Sequence, residues 1–418
     1  MTVADAPTAR EYSRFDVSTR KFWAKDFVAR DETFAQLRAT EGLTWHEPLP
    51  SMFDSDEPGF WAVTRRADIA HVSTHPEPFS SAQGVALDPM PVEVQRIATF
   101  FLAMDPPQHT VYRRLISTAF TPKNVKRIED QIHANAVAVV DDLVGVGEVD
   151  FVAACSTRLP MMTISDMLGV APSDREAVAH AAEKLFSGSD DEYATLEERA
   201  THTINEMIFL NNCGIELAKH RRAHPADDLM TAMVNAEVEG HRLTDEEMGA
   251  FMVLLASAGN DTTKQATTHA MMALAAHPEQ REWLMADFDN RIGTAVEEFV
   301  RYATPVMQFA RFVTADTELA GQHLKAGDKV GLFYCSANRD EAVFDDPHGF
   351  DLSRSPNPHM GFGGGGPHFC LGSQVAKVEL RNLFRELLTR LRRVEFGEPD
   401  YLLSNFVHGV KRVPAFVE

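Results

Sequence analysis

Cysteine is scarce in this sequence, and its few positions form no recognisable framework. The 418 residues contain four cysteines, at positions 155, 213, 335 and 370, with irregular spacing and no CxxC pair. This pattern argues against a disulfide-bonded scaffold and favours a reduced, cytoplasmic setting.

Long apolar runs are missing as well. No stretch approaches about 18 uninterrupted apolar residues, so we expect no transmembrane helix. The first residues, MTVADAPTAREYSRFDV, contain neither the apolar core of a signal peptide nor a cleavage pattern. With no internal repeat and no low-complexity linker, the sequence predicts a soluble globular protein.

Positive charge is in deficit. The sequence has 40 Lys and Arg residues against 61 Asp and Glu residues, a formal net charge of −21. Nucleic acid is therefore disfavoured as a partner, because the phosphate backbone would be repelled overall. Apolar residues make up 44 % of the chain, which is enough for a large core that encloses a bulky cofactor.

Helical periodicity dominates the pattern of apolar residues. The segments with helical spacing are 124–144, 195–222, 244–276, 278–303 and 373–393. Residues 59–64 are expected to form a strand, and 312–335 to form several short strands with a turn at Gly327 and Asp328. Since helices outnumber strands and the strands cluster near both ends, we predict a mostly α fold with a minor β region. We expect one domain over residues 1–418.

The segment 244–276 predicts one long helix that crosses the interior. Thr244 and Glu247 have the spacing of a capping box at its start. Its middle, AGNDTT at 258–263, contains residues that are poor in helix interiors, which indicates a local opening with room for dioxygen and water. In that interpretation Thr262 donates a hydrogen bond to the oxygen, and Asp261 relays protons from solvent. The alternative is a kink in which hydroxyls bond back to the backbone.

A glycine-rich turn precedes the last long helix. Five glycines and Pro367 fall within residues 361–367, so neither a helix nor a strand continues there. Cys370 then lies at a helix N-terminus. Its thiolate is favoured there by the helix dipole and by the backbone N–H groups of Leu371, Gly372 and Ser373. A thiolate is one of the few axial ligands that proteins provide for haem iron.

Other interpretations of this turn remain open. Its glycines match the GxGxxG nucleotide fingerprint, which requires a preceding strand and a complete βαβ unit. His359, His368 and Cys370 are residue types that bind zinc, although no fourth ligand has suitable spacing. Cys370 is also compatible with a buried, unreactive thiol.

Two further pairs have helical spacing. Glu298 and Arg301 are separated by three residues and share a helix face, where such pairs are usually solvated but become strong when buried and bidentate. His109 and Arg113, which follow two prolines, are separated by four residues and suit a carboxylate such as a haem propionate. An exposed basic face is an equally good interpretation of the second pair.

These elements, in this order, resemble the cytochrome P-450 family over nearly the whole chain. The matching pieces are DPPQHTVYRR, AGNDTT, EEFVRY, ANRDEAVFDDPHGFDLSR and FGGGGPHFCLG. The resemblance implies the triangular, mostly α fold of that family and haem b (iron protoporphyrin IX) as cofactor.

The resemblance also assigns roles to residues. Cys370 corresponds to the axial thiolate and metal ligand, and Asp261 with Thr262 to the acid–alcohol pair of oxygen activation. The structural triad around the family's ExxR motif corresponds to Glu298, Arg301 and Arg354. The ligands of the haem propionates correspond to His109, Arg113, Arg311 and His368.

One departure from the family pattern concerns Phe362. The usual pattern has Phe seven residues before the cysteine, whereas Gly363 is there and Phe362 is eight residues before, as if one glycine were inserted. The packing of Phe362 against the sulfur loop is therefore open. The extended FGGGGPHFCLG form resembles an actinobacterial subgroup that oxidises terminal methyl groups of methyl-branched fatty acids, isoprenoids and sterol side chains.

The resemblance implies a monooxygenase that inserts one atom of O2 into an unactivated C–H bond. Electrons are expected from NAD(P)H through a reductase and a ferredoxin. The alternatives are a haem-thiolate peroxygenase, a monooxygenase of small terpenes or aromatic compounds, and, outside enzymes, a haem-based sensor or carrier.

Two further sets of residues follow from the resemblance. The side chains expected to line an apolar substrate pocket are Leu87, Phe101, Leu255, Ala258, Val306, Met307 and Phe406. The basic residues expected on the cysteine side, as a docking patch for an acidic ferredoxin, are Arg113, Arg114, Lys123, Lys126, Arg127, Lys377, Arg381 and Arg385.

Overall fold

The computed structural model describes residues 10–117, 120, 122–186 and 196–418 of the chain. Most of these residues are helical. The α-helices are α1 (Arg20–Trp23), α2 (Phe27–Ala39), α3 (Arg66–Thr74), α4 (Val92–Thr99), α5 (Gln108–Ser117), α6 (Pro122–Asp141), α7 (Arg158–Leu168), α8 (Arg175–Phe186), α9 (Leu196–Ala223), α10 (Leu229–Val234), α11 (Asp245–Ala276), α12 (Pro278–Ala286), α13 (Phe288–Ala303), α14 (Tyr334–Ala337) and α15 (Ser373–Arg390). No helix in these ranges combines the length and apolar character needed to cross a lipid bilayer.

The strands are short. They are β1 (Thr44–His46), β2 (Phe60–Val63), β3 (Phe79–Ser80), β4 (Gly147–Asp150), β5 (Gln308–Val313), β6 (Thr317–Leu319), β7 (Gln322–Leu324), β8 (Lys329–Phe333), β9 (Val394–Phe396), β10 (Asp400–Tyr401), β11 (Val410–Arg412) and β12 (Pro414–Val417). The fold is therefore mostly α with a minor β region, as predicted. The turn before β8 contains Gly327 at φ +91°, also as predicted.

The strands form one main sheet and three smaller ones within the described part of the chain. The five-stranded sheet has the order β1-β2-β8-β5-β3, in which β2 and β8 run parallel and the other neighbours antiparallel. The three-stranded sheet has the order β4-β12-β9. Strand β4 lies away from both chain ends, so it departs from the predicted clustering. Local sequence does not reveal it, because it pairs with β12 from the far end of the chain.

Residues 278–303 form two helices, so the prediction of one continuous helix is wrong. Asp287 leaves the helical conformation at φ −157°, ψ 64°. Aspartate is poor inside helices because its short side chain bonds to nearby groups, and Asn290 Nδ2 donates to Asp287 Oδ1 at 2.9 Å. Apolar spacing alone does not reveal this break.

Helix α11 packs against α7, α8, α9, α13 and α15 and forms the centre of the helical part. Its capping box is present: Glu247 N donates to Thr244 Oγ1 at 3.2 Å, and Thr244 N donates to Glu247 Oε2 at 2.8 Å. The helix continues through residues 258–263, so the predicted local opening is wrong. Thr262 Oγ1 donates to Ala258 O at 2.9 Å, which is the back-bonding alternative and satisfies the Thr262 hydroxyl.

Candidate active site

The turn that carries Cys370 lies directly against helix α3. A Cβ on Gly366, where φ is +68°, would lie 2.0 Å from Ser73 O, and a Cβ on Gly364 would lie 2.3 Å from Ser73 Oγ. Only glycine permits this close approach. The backbone N–H of Cys370 donates to Phe362 O at 2.9 Å, which closes the turn and fixes the cysteine at the start of α15.

Phe362 stays beside the sulfur loop despite the additional glycine. Gly363 takes up the extra residue at φ +98°. The Phe362 ring lines the cavity, with the Lys377 ammonium 5.1 Å and the Phe369 ring centroid 6.4 Å from its own centroid.

The Cys370 thiol is reachable from the cavity, although protein surrounds it on its other sides. Burial raises the pKa of this thiol above its usual value and outweighs the hydrogen bonds from Gly372 and Ser373 that lower it. The expected net lowering is therefore wrong for the free thiol, because desolvation penalises the thiolate. A coordinating metal ion, by contrast, deprotonates a thiol outright.

Four side chains with N–H donors gather next to the turn. They are His109, Arg113, Arg311 and His368. The rings of His109 and His368 have centroids 4.3 Å apart, and His368 Nε2 lies 3.1 Å from Ser81 Oγ. Both ring nitrogens of His109 and the Nδ1 of His368 are buried without a hydrogen-bond partner in the described structure. Such orphaned polar atoms indicate a missing ligand.

The charges in this cluster identify the kind of ligand. Burial and then the nearby Arg113 lower the pKa of His109 to about 4, and burial and then Arg311 lower the pKa of His368 well below its usual range. Asp105, the nearby acid, is already bonded by Ser80 Oγ and the Ser81 N–H. Two guanidinium groups beside three unpaired imidazole nitrogens suit added carboxylates, so the residues fit the propionates of a haem.

A large cavity joins the turn to helices α7 and α11. It is lined by residues of the turn, of α7, α11 and β5, and of the segment before α5. The titratable residues on its wall, apart from cysteine and tyrosine, are Arg113, Arg311, His368 and Glu379. The cavity therefore brings the Cys370 sulfur and a largely apolar wall to one space.

Four of the seven pocket candidates lie on this wall. They are Phe101, Leu255, Ala258 and Val306. Among the described residues that line the cavity, Leu87, Met307 and Phe406 are absent. Consecutive side chains of an extended segment point to opposite sides, so Val306 faces the cavity while Met307 packs near Trp23 and Phe34.

Packing also explains why Leu87 and Phe406 do not line the cavity. Leu87 is buried beneath the main sheet, where a Cβ on Gly331 would lie 3.0 Å from its side chain. Phe406 lies one layer behind the wall, with its ring centroid 5.3 Å from that of Phe309, which itself lines the cavity.

The acid and the alcohol on α11 differ in position. Thr262 lines the cavity, whereas Asp261 is buried behind it. Asp261 Oδ1 lies 2.5 Å from Lys264 Nζ, and Lys264 Nζ lies 3.0 Å from Glu183 Oε1 on α8. The sequence prediction did not include Lys264 or Glu183. The spacing of Asp261 and Lys264 was visible on the helix, but the contact with α8 was not.

The pair Glu298 and Arg301 is fully buried and bidentate. Arg301 Nε and Nη2 donate to the two Glu298 oxygens at 2.7 Å each. Arg301 also donates to the carbonyl oxygens of Asn338, Pro347 and Gly349, at 2.9, 2.7 and 2.7 Å. Arg354 Nε lies 3.3 Å from Glu298 Oε2 and completes the triad. This network ties α13 to the loop that leads to the cysteine turn.

Sequence reasoning also missed Glu379, an acid on the cavity wall. Thr263 Oγ1 donates to Glu379 Oε2 at 3.2 Å. Burial raises the pKa of Glu379 to about 7, against hydrogen bonds from Thr163 and Thr263 that lower it. One signal was available: Glu379 occupies the face of α15 that Val375 and Leu383 mark as apolar.

The structure does not support the zinc and nucleotide interpretations of the turn. In the described ranges no three His, Cys, Asp or Glu side chains gather to hold a metal ion, and His359 instead pairs with Glu297 at 2.9 Å. The turn follows an irregular loop and not a strand, so no βαβ unit accompanies the glycines.

Comparison with known proteins gives consistent matches. Residues 182–400 match the model of the cytochrome P-450 family. The methyl-branched lipid omega-hydroxylase of Mycobacterium tuberculosis is 39 % identical over 405 residues, which covers 96 % of this chain and 94 % of that protein. The steroid C26-monooxygenase of Mycolicibacterium smegmatis is 36 % identical, with 91 % and 88 % covered.

A solved structure is similar over the whole chain. It is the Mycobacterium marinum cytochrome P-450 CYP268A2 in complex with pseudoionone, with a TM-score of 0.94 and 50 % identity, and it covers 98 % of this chain and 100 % of that one.

Proposed function

Because this chain belongs to the cytochrome P-450 family and is a monooxygenase of that family, we propose that it hydroxylates the terminal methyl group of a methyl-branched lipid. The proposed substrates are a methyl-branched fatty acid, an isoprenoid or a sterol side chain. The names of the two curated relatives support this choice, as does the pseudoionone bound in the structure from Mycobacterium marinum.

The observation that carries the proposal is the apolar wall of the cavity. It is formed by residues from the segment before α5 and from α7, α11 and β5, among them Phe101, Leu102, Ile164, Met167, Leu254, Leu255 and Phe309. Each CH2 group buried against such a wall contributes about 0.8 kcal/mol, so affinity should rise with chain length until the cavity is full. Terminal attack then depends on positioning, because tertiary C–H bonds are weaker than those of a methyl group.

We propose haem b as the cofactor, with Cys370 as the ligand of its iron. When bound, the iron supplies the activation of dioxygen. The chain contributes the sulfur held by the glycine turn and the donors around His109 and His368 for the propionates. It also contributes the Thr262 hydroxyl, which can leave Ala258 O by a χ1 rotation and donate into the cavity. Asp261, directly before it, is the proposed source of protons.

The proposed electron donor is a ferredoxin reduced by NAD(P)H through a reductase, in the cytoplasm. The predicted docking patch is only partly free. Arg114, Lys377 and Arg381 pair with carboxylates at 3.2, 2.5 and 3.7 Å, Arg385 pairs with Asp289, and Lys126 is exposed. The side chains of Lys123 and Arg127 lie outside the described residues. The positive potential of the patch is thus smaller than the number of basic residues indicates. Docking that depends on this potential should weaken with salt, because ions screen the charges.

The test is turnover with ferredoxin, reductase and NADH, followed by product analysis. Matched branched and linear fatty acids, an isoprenoid, a cholestenone-type sterol and small aromatic compounds serve as substrates. We expect terminal alcohols from the branched lipids, at higher rates than from linear chains of equal length. Oxidation confined to small aromatic compounds, turnover with peroxide but not with ferredoxin and NADH, or binding without turnover would contradict the proposal.

A variant at the cysteine separates the cofactor assignment from the substrate assignment. Cys370→Ala should lose the red-shifted Soret band of the ferrous–CO complex, because no thiolate remains to bind the iron. Cys155→Ala, which removes a buried thiol in the helical core, is the matched control and should retain the band.

A further inference from the structure

The buried Asp261 carboxylate is connected to the protein surface by a single ammonium group. Lys264 Nζ bridges Asp261 Oδ1 at 2.5 Å and Glu183 Oε1 at 3.0 Å. The side chains of Asp261 and Lys264 are each 4 % exposed, whereas that of Glu183 is 45 % exposed. The three charges therefore form a line from behind the cavity to solvent at α8.

The second carboxylate oxygen of Asp261 is not used by the ion pair with Lys264. Asp261 Oδ2 is buried and has no hydrogen-bond partner in the described structure. Buried carboxylate oxygens are normally satisfied, so an orphaned one indicates a water molecule or a mobile donor next to it. Thr262, the next residue, lies on the cavity side with its hydroxyl on Ala258 O, so a water molecule at Asp261 Oδ2 would connect the two groups. One oxygen of Asp261 is thus held by Lys264, and the other is free for exchange.

We propose that Lys264 is a positioning residue that holds Asp261 and connects it through Glu183 to solvent, so that protons for the reaction enter beside α8. The inference rests on the proposed function, since only a reaction that consumes protons needs this route. In each transfer Lys264 Nζ passes a proton to Asp261 Oδ1 and regains one from hydronium or a buffer acid in the solvent at Glu183. The neutral Asp261 carboxyl then turns its O–H toward the Thr262 side, releases the proton there and becomes a carboxylate again. The three groups keep their charges, and one proton moves inward.

The bridge also explains how a lysine remains charged in the interior. Asp261 and Glu183 raise the pKa of Lys264 against the burial that lowers it. Removal of either carboxylate would leave a poorly compensated buried cation, and removal of Lys264 would leave an uncompensated buried acid. The second case gives a spectroscopic signature, because an acid without its cation takes up a proton.

The main experiment compares Lys264→Met with the wild-type holoenzyme. With ferredoxin and NADH, the variant should lose at least about tenfold in kcat, because positioned proton transfer contributes roughly 10²–10⁴. Its electrons should go to free peroxide, while KM changes little. With hydrogen peroxide as the oxidant, which brings its own protons, the variant should match the wild type. Lys264→Arg should restore most of the ferredoxin-driven rate.

Two further measurements keep the test independent of turnover and of the substrate. Infrared difference spectra between Lys264→Met and the wild type should contain an additional protonated-carboxyl band, beyond that of Glu379, which disappears in Lys264→Met/Asp261→Asn. Lys219→Met, which removes an exposed lysine paired with Glu216 on α9, is the matched control and should change nothing. Any substrate that binds can be used for the coupling measurement, so an error in the lipid assignment leaves this test intact. If Lys264→Met couples electrons to product as well as the wild type does and shows no additional carboxyl band, the proposal is refuted. Lys264 would then only hold α8 and α11 together.

Discussion

Glu379 is an acid in an apolar helix face, and its contribution to the stability of the fold depends on pH. Its pKa in the folded protein is about 7, above the ordinary 4.5, because burial penalises the charged form. The folded state therefore binds a proton that the unfolded state has lost between these values. Stability from this group is present below about pH 4.5 and is lost as the pH rises through 7.

We predict that Glu379→Gln stabilises the protein at pH 8 and not at pH 4.5. The gain should approach about 3 kcal/mol, the free energy that corresponds to a pKa raised from 4.5 to about 7. The amide keeps an acceptor for Thr163 and Thr263 and adds no charge. Denaturant unfolding at the two pH values measures the difference. Glu386→Gln, on the same helix but paired with Arg390, should show no such dependence, and equal gains from both variants would disprove the explanation.

Single residues differ in how far their environment can be predicted from sequence. The Glu298–Arg301 contact was predictable, because three-residue spacing brings the side chains together on any helix. The Asp261–Lys264 contact has the same spacing. Its continuation to Glu183 depends on the packing of α8 against α11, and the two residues that meet are 81 positions apart. Tertiary packing of that kind leaves no mark on local periodicity.

At the scale of elements, the glycine turn is the most constrained part of the site. Gly366 has φ +68° and its Cα faces Ser73 O, whereas Gly372 has φ −81° and nothing within 4 Å of its Cβ position. The two glycines therefore make a matched pair within one motif. The backbone N–H that Gly372 directs at the sulfur does not depend on its side chain.

We predict that Gly366→Ala destabilises the protein and lowers its haem content. The left-handed conformation alone costs about 1–2 kcal/mol for a residue with a Cβ, and the contact with Ser73 adds to this cost. Gly372→Ala should leave both quantities unchanged. Thermal unfolding and the haem-to-protein absorbance ratio measure the outcome, and a comparable loss in Gly372→Ala would contradict the proposed cause.

The predicted elements on the chain were mostly correct in kind, and the errors have physical reasons. Apolar spacing located α6, α9, α11 and α15 within a few residues, because each buries one face or more. It missed the break at Asp287, where the apolar stripe continues through a non-helical residue. The poor helix formers at 258–263 predicted an opening in α11, which is absent because the helix continues and the Thr262 hydroxyl bonds back to Ala258 O. Two of the pocket errors came from a similar cause, since sequence does not reveal which layer an apolar side chain occupies.

For the whole molecule, buried neutral histidines make stability sensitive to acid. Burial lowers the pKa of His46 and of His269 to about 4. The unfolded state takes up protons near pH 6.5 and the folded state does not, so stability is lost as the pH falls from about 6.5 to 4.

We predict a fall in unfolding free energy over that range, to which His269 contributes up to about 3 kcal/mol. His269 Nε2 lies 3.0 Å from His408 O, and glutamine can replace this donor without titrating. His269→Gln should therefore be less sensitive to acid than the wild type, as judged by chemical unfolding at pH 7 and pH 4.5. The exposed His323 provides the control, and His323→Gln should follow the wild-type curve. If the free energy of unfolding falls by the same amount between pH 7 and pH 4.5 in all three proteins, His269 is not the cause of the acid sensitivity.

The three-stranded sheet has a consequence for folding during translation. Strand β12 lies between β4 and β9, and Asp150, at the end of β4, accepts from the N–H of Val413, which lies 263 residues further along the chain. At roughly 5–20 residues per second, translation leaves β4 without its partner for tens of seconds. Its edge is open to the wrong neighbour throughout that time. Completion of this part of the fold therefore waits until the last strand emerges, and the nascent chain is most in need of a chaperone in that interval.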